Sequence, residues 1–271
     1  MPQILRVAPS SPALRPFVQW LWHFTGEFEH AHERIMPNGT MQLLVNLEED
    51  ELRTYEGERF TRMCRIRGAA IAGAYAKPFG IDTREQRCIA GVSFRPGGAA
   101  PFFRAPADAL RDQHVELDPV WGRDGALLRE RLLDAPSPAA ALRALERALL
   151  EQVARSLEVD KLVDFAITAL ERGAPVGELV ARVGVTPKRF IRRFEQIVGI
   201  TPKRFARVRR FARVLESVEL GQPVDWSAVA ASCGYFDQAH MIHDFQEFSG
   251  MNPTDYRPRA QGDRNHALIG D

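Results

Sequence analysis

Gly184-Val185-Thr186-Pro187-Lys188-Arg189-Phe190-Ile191-Arg192-Arg193-Phe194, followed by Gly199-Ile200-Thr201-Pro202, is the stretch whose reading decides the fold. Its end recurs: Gly199 through Phe205 matches Gly250-Met251-Asn252-Pro253 through Tyr256 at a constant offset of 51 residues, and Phe194 aligns with Phe245 at the same offset. The chain therefore holds two copies of one unit. In each, a short amphipathic helix (176–183; 225–233) runs into a glycine turn, Gly184-Val185 or Gly234-Tyr235, and a second helix begins at once, which is the helix-turn-helix order. Thr186 with Pro187 supplies a capping hydroxyl and a proline at the first helical position, and Asp237 supplies a capping carboxylate in the second copy. Gly199 and Gly250 end the two helices. Between those limits Phe190, Phe194 and Ile197 share one face, as do Met241, Phe245 and Phe248, and these faces pack inward.

The opposite face of the first copy carries Lys188, Arg189, Arg192 and Arg193, spaced so that they project together, as a surface entering a nucleic-acid groove must. Charge distribution supports this where the total does not. The chain of 271 residues has 36 Lys and Arg against 35 Asp and Glu, yet residues 182–213 hold eleven basic side chains and one acid, Glu195, for a net +10. The remainder, 25 bases against 34 acids, is −9. A solvated helix face usually interleaves both signs, whereas a surface that meets a polyanion does not. Residues 201–217 read as a long helix between the copies, with Phe205, Val208, Phe211, Ala212 and Leu215 inward. At ~1.5 Å per residue it spans roughly 25 Å, enough to hold two recognition helices about one DNA turn apart. Its Lys203, Arg204, Arg207 and Arg210 are expected to face the intervening phosphates.

Toward the N-terminus the period changes. Residues 41–47, 69–74 and 88–94 are short runs rich in β-branched and aromatic side chains, with turn chemistry at Pro37-Asn38-Gly39, Pro78-Phe79-Gly80 and Pro96-Gly97-Gly98. Residues 139–155 then read as a helix with a Leu142, Leu145, Leu149, Val153 stripe that either pairs with a twin chain or covers the β-rich part. The expected fold class is α+β: a β-rich domain over 1–155, an all-α domain with two helix-turn-helix units over 160–259, and a flexible tail over 260–271. Hydrophobic residues at 45% and charged residues at 26% fit an ordinary globular chain. The proline-broken start (Pro2, Pro9, Pro12, Pro16) has no signal-peptide run, so a cytoplasmic location is expected. Cys64, Cys88 and Cys233 are odd in number and far apart, which speaks against a disulfide framework or zinc site and for buried thiols.

Residues 160–259 resemble the AraC/XylS family of transcription regulators. The strings that carry the resemblance are 184–194 and Gly199-Ile200-Thr201-Pro202 as quoted, Gly234-Tyr235-Phe236-Asp237-Gln238-Ala239-His240-Met241-Ile242-His243-Asp244-Phe245, and the closing Gly250, Pro253, Tyr256 and Arg257. The resemblance implies a sequence-specific DNA-binding regulator, activator or repressor, with double-stranded promoter DNA as partner. It places base contacts at Lys188, Ile191 and Arg192 in the first unit and at Ala239, His240 and His243 in the second, with backbone contacts at Arg189, Arg193, Lys203, Arg204, Arg207 and Arg210. His243 departs from the family, which commonly has Arg there, so the second unit offers a weaker, pH-dependent donor. Less specifically, Arg34-Ile35-Met36-Pro37-Asn38-Gly39 and Val92-Ser93-Phe94-Arg95-Pro96-Gly97-Gly98 resemble the β-rich domain of an AraC-type subgroup, implying a cupin-like effector or dimerisation domain. The further partners this admits are a small-molecule effector, a second copy of the chain and, for an activator, RNA polymerase. A pocket lined by Trp20, Trp22 and Phe94 would suit an apolar or aromatic effector, although aromatics in strands more often serve the core.

Three rival readings compete with this one. A metal-dependent cupin enzyme would use His23, His30, His32 and Glu33, but a second ligand cluster from a later strand is missing and His114 stands alone. A methyl-transfer repair protein would need a cysteine in a basic, ligand-rich motif, which is absent from the sequence. A pure interaction protein is subsidiary to DNA binding. The expectation is therefore a non-enzyme with no catalytic residues, no metal and no cofactor.

Overall fold

The structure, a computed structural model, describes residues 2–57, 60–153, 156–219, 221–260 and 263–268. The expected domain end at 155 and the tail positions 261–262 and 269–271 lie outside the described residues. The first part of the chain forms β1 (Gln3–Val7), β2 (Val18–Thr25), β3 (His32–Ile35), β4 (Gln42–Asn46), β5 (Glu51–Glu56), β6 (Arg62–Arg67), β7 (Ala69–Ala72), β8 (Phe79–Asp82), β9 (Cys88–Phe94) and β10 (His114–Glu116). A last strand, β11 (His266–Leu268), comes from the far end of the chain. The strands make a six-stranded sheet ordered β1-β2-β9-β4-β7-β10 and a five-stranded sheet ordered β11-β3-β8-β5-β6.

Strand parity decides what each face does. Trp20, Trp22 and Phe24 of β2 lie opposite Ser93, Gly91 and Ile89 of β9, and this face of the first sheet turns toward a cavity whose other wall includes Ile81 of β8 and Thr83 just after it. The Trp22 ring sits so close to the β9 backbone that a Cβ on residue 91 would lie 2.5 Å from Trp22 Cζ2, so only glycine fits there. The alternate residues, Leu21 of β2 and Ala90, Val92 and Phe94 of β9, face the other way and are buried. Phe94 packs tilted against Phe102 at 5.6 Å and edge-on to Phe103 at 6.2 Å. This corrects the expected effector pocket: Trp20 and Trp22 line a cavity, while Phe94, out of phase with them across the strand pair, belongs to the core.

Over that second face lie α1 (Asp118–Trp121), α2 (Arg123–Leu133) and α3 (Pro138–Glu151). Leu142, Leu145 and Leu149 of α3 are buried, and the helix packs on β2, β9 and α2, so the leucine stripe covers the sheet. Cys233 is buried, whereas Cys64 and Cys88 are only half-buried.

The remaining helices are α4 (Lys161–Glu171), α5 (Val176–Arg182), α6 (Pro187–Val198), α7 (Pro202–Ser217), α8 (Trp226–Ser232) and α9 (Gln238–Ser249). Their core is aromatic: Phe190, Phe194, Phe205, Phe211, Phe245 and Phe248 are fully buried, with edge or tilted contacts at 5.3–6.1 Å. Each large ring removes on the order of 150–250 Å² from water, so these six dominate the stability of the helical part.

The two parts are joined by packed contacts. Arg111 donates from Nε to the Gly199 carbonyl (2.9 Å) and pairs with Glu195 at 3.1 Å. Gly199 itself has φ +95, and a Cβ there would meet Ala74 Cβ at 2.9 Å, so the residue that ends α6 also lets the β-rich part approach. Arg209 donates to the Asn38 carbonyl (3.1 Å), and Arg34 donates to the Ser249 carbonyl (2.5 Å).

The tail expected to be flexible from 260 onward is a correction. Residues 266–268 pair antiparallel with β3, in the register His266↔Ile35, Ala267↔Arg34, Leu268↔Glu33. The polar composition of this segment concealed the reason, which is a buried partner far away in sequence: Glu33, fully buried, accepts from Arg259 (2.7 Å) and lies 2.8 Å from His266 Nδ1.

Candidate nucleic-acid interface

The outward face of α6 follows from how the helix is held. Thr186 caps it, its hydroxyl accepting from Arg189 N (3.4 Å), and Pro187 occupies the first turn. With Phe190, Phe194 and Val198 turned inward, Lys188, Arg189, Ile191, Arg192 and Arg193 are left exposed. Arg193 is nonetheless engaged: its Nε donates to Asp160 (2.6 Å), the carboxylate that also caps α4. Lys188, Arg189 and Arg192 form no ion pair among the described residues.

The second unit repeats the plan. Asp237 accepts from His240 N (2.7 Å), Met241, Phe245 and Phe248 turn inward, and Ala239, His240 and His243 are exposed. The His240 ring stands edge-on to Tyr235 at 5.1 Å, which orients it without covering it. The turns before the two recognition helices carry Gly184 and Gly234 at φ +67 and +80.

The linker helix α7 departs from the expectation. Lys203 is exposed, but Arg204 and Arg207 are half-buried in ion pairs with α9. Arg204 pairs with Glu247 and donates to the Ala76 carbonyl; Arg207 donates from Nη2 to Asp244 (2.6 Å) and pairs with Glu247. Both guanidinium groups lie over the Phe248 ring, at 4.5 and 5.2 Å. Burial would raise the Glu247 carboxyl, but hydrogen bonds from Arg204 and Arg207 outweigh it and hold the group below its ordinary range. The two arginines expected on phosphates therefore clamp the second recognition helix to the linker. Arg210 lies over Tyr235 at 4.8 Å and donates to the Gly234 carbonyl (3.1 Å), while Arg213 donates to the carbonyls of Glu171 and Cys233.

Between the units lies an open groove of about 880 Å³. Its lining includes Arg172, Lys203, Arg207, Arg210, Arg213, His240 and His243, with Asp244 the only acid among the described lining residues. Sequence reasoning missed Arg172, which is exposed on this groove, and Phe236, which is 94% exposed in the turn before α9. The signal for Phe236 was available: an aromatic beside the capping Asp237 falls outside the inward stripe of 241, 245 and 248.

Among the described residues the one cluster with metal-ligand spacing is His243, Asp244 and Glu247, and both carboxylates are held by arginines. Of the residues a metal enzyme would use, His30 pairs with Glu33 (2.6 Å), while His32 stands edge-on to Tyr55 at 5.1 Å and His23 lies near Thr25 and Cys88. In the β-rich part, Trp20 and Trp22 line a cavity of about 200 Å³, and Trp22 also lines an adjoining chamber of about 120 Å³ with Leu44, Leu52, Tyr75, Phe79 and His114. Among the described residues, no helix is long and apolar enough to cross a membrane.

Comparison with known proteins matches two stretches of the chain to families. Residues 6–116 match the family described as Domain of unknown function (DUF6597), and residues 179–259 match the family described as Helix-turn-helix domain. A comparison with curated proteins returns no match. Similar solved structures include ToxT from Vibrio cholerae, 7% identical over 94% of this chain and 96% of that chain, with a TM-score of 0.43. Another is ToxT from Vibrio cholerae O395 bound to (E)-4-(8-methylnaphthalen-1-yl)but-3-enoic acid, 5% identical over 94% of this chain and 97% of that chain, with a TM-score of 0.46. The chain thus carries a helix-turn-helix domain, matched over residues 179–259, behind a β-rich N-terminal part.

Proposed function

We propose that the chain binds promoter DNA in the cytoplasm by setting α6 and α9 into two adjacent major-groove segments, with α7 across the backbone between them. The observation that carries this reading is the exposure of Lys188, Ile191 and Arg192 on α6 and of Ala239, His240 and His243 on α9, the two histidines lining a basic groove with Lys203, Arg207 and Arg210 of α7. Arg192 reads a guanine through O6 and N7, Lys188 adds a second polar contact, and Ile191 meets a thymine methyl. The second unit has weaker base donors and binds chiefly through Lys203, Arg210 and Arg172 on phosphates. Residues 160–259 are the reading domain, and 1–155 with the returning tail are a domain that senses a small-molecule effector in the cavity beside Trp20 and Trp22. We assign the chain no catalytic step.

The test is selection of bound sequences from a random duplex pool with the parent chain and with Arg192→Ala. Arg192→Ala relaxes preference at one position by about 1–3 kcal/mol and leaves the rest of the site readable. A consensus identical in both, at unchanged affinity, removes α6 as the base reader.

A further inference from the structure

One wall of the cavity between the two sheets is built from the end of the chain. Arg259, Asp263, Asn265 and His266 line it, and Asn265 and His266 also line the adjoining chamber. These residues follow the second helix-turn-helix unit closely. After α9 the ring of Tyr256 packs on Phe245 at 5.7 Å, and its hydroxyl donates to the Arg264 carbonyl. The Asn265 carbonyl then accepts from Met36 N (2.8 Å), and β11 joins β3. The attachment is buried and charged: Glu33 takes Arg259, His266 and His30, and Asp263 takes Arg259 and Arg6, each at 2.8 Å. Burial would raise Glu33, but its hydrogen bonds and the Arg259 charge bring it down to about 2. The same β3 carries Arg34, which holds the end of α9 through the Ser249 carbonyl.

We propose that this cavity binds an uncharged aromatic small molecule, and that Arg259 and the segment 263–268, as one of its walls, transmit occupancy to the second helix-turn-helix unit. The proposal rests on the effector reading above and adds to it a ligand class and a route. The ligand class follows from the lining. Trp22, Leu44, Leu52, Tyr75, Phe79 and Ile81 offer an apolar enclosure, and Gln42, Gln86 and Asn265 offer hydrogen bonds. The charged lining residues Arg6, Arg259 and Asp263 are already paired with one another or with Glu33. An ionic ligand would lose its hydration and find no unpaired counter-ion among the described lining residues. His114, which burial lowers to about 4, is neutral at pH 7 and adds no charge. The route follows from chain connectivity. A ligand that presses on Asn265 and His266 biases the seating of β11, and β11 is anchored to the strand that also holds α9; any difference in ligand affinity between seated and unseated tails becomes a difference in how α9 is held.

The experiment titrates the full chain with N-phenyl-1-naphthylamine, whose fluorescence rises in apolar surroundings, and with 8-anilinonaphthalene-1-sulfonate, which adds a sulfonate to the same rings. The neutral probe binds, the sulfonate binds roughly tenfold or more weakly, and Asn265→Trp, which fills the cavity from the tail side, removes neutral-probe binding. In the parent chain, with no substitution, amide hydrogen exchange across 264–268 slows when the neutral probe is bound. Failure of the neutral probe to bind overturns the effector reading and this proposal with it. Binding that leaves the exchange of 264–268 and the response to Asn265→Trp unchanged overturns the route alone. Sulfonate binding as tight as neutral binding overturns the ligand class.

Discussion

Arg207→Ala separates a structural arginine from a DNA contact. Asp244, on the recognition helix of the second unit, is 1% exposed, and its Oδ1 takes both Nε (3.1 Å) and Nη2 (2.6 Å) of Arg207, while its Oδ2 has no hydrogen-bond partner. With Arg207 gone, the partner that remains within ion-pair distance among the described residues is the His243 ring, largely exposed, whose Nδ1 lies 3.9 Å from Oδ1. Breaking a buried pair from one side costs about 3–5 kcal/mol, because the surviving charge has lost both water and partner. The Arg207 side chain is 23% exposed, so water can reach part of the vacated space. Discounted for that screening, the expected loss is about 2–4 kcal/mol. Asp244→Leu combined with Arg207→Leu removes both charges and recovers much of it, with a coupling of order 1–3 kcal/mol.

Two assays on each variant give the answer: denaturant melts, and affinity for a bound duplex as a function of salt. The clamp reading expects Arg207→Ala to melt early and to lose second-unit binding through disorder of α9. A phosphate contact predicts the opposite pattern, an unchanged melt with a salt slope smaller by about 0.9. That second pattern would refute the argument from geometry and restore the reading made from sequence.

Other predictions address the pH profile and the exposed turn. Burial raises Glu85 from 4.5 to about 7, although Arg53 N donates to it at 2.7 Å. Between those values the folded chain holds a proton the unfolded chain has released, so the contribution is full below pH 4.5 and lost as pH rises to 7, by about 3 kcal/mol. Glu85→Gln should flatten that stretch of the stability profile; a profile parallel to the parent's over pH 5–7 assigns the slope elsewhere. Phe236→Ala removes a ring that is 94% exposed, so the melt should stay within about 0.5 kcal/mol of the parent while duplex affinity falls. Unchanged affinity would reduce Phe236 to a turn residue.

What was legible in the sequence is what local chemistry writes. The caps Thr186 and Asp237, the terminating Gly199 and Gly250 and the inward rings stand where spacing put them, because each depends on neighbours within one or two turns. Strands β4, β7 and β9 were equally plain as apolar runs. The edge strands were not: β1 is exposed along its length and β11 is three residues long, so neither carries a buried-face pattern. Phe94 was misplaced because a pocket argued from residue type ignores strand parity: Phe94 pairs with Val18 and Trp20 with Ser93 across the register shift between 18 and 20, so 94 and 20 fall on opposite faces of the sheet. Glu33 and His266 are 233 residues apart, and no local pattern joins them.

The cationic segment is the instructive case, because composition located it while position determines its use. On α7 the core stripe of Phe205, Val208, Phe211 and Leu215 leaves Arg204 and Arg207 at one margin, against Asp244 and Glu247, and Arg209 at the other, against Glu171 and the Asn38 carbonyl. Arginine suits a margin because its stem packs on apolar surface while the fork reaches a carboxylate or carbonyl. Of the eleven basic residues from 182 to 213, Arg182 lies over the Phe165 ring at 5.3 Å and Arg193, Arg204, Arg207, Arg209 and Arg213 are held by carboxylates or carbonyls, so those left for DNA are Lys188, Arg189 and Arg192 on α6 and Lys203 and Arg210 on the groove. With Arg172 from outside that segment, the phosphate-reaching cations are Arg172, Arg189, Lys203 and Arg210, and about four give a slope of log affinity against log salt near −4, whereas eleven would give about −10. A measured slope near −10 would mean that the inward arginines leave their carboxylates when DNA binds, and the structural assignment of Arg204, Arg207 and Arg209 would fall with it.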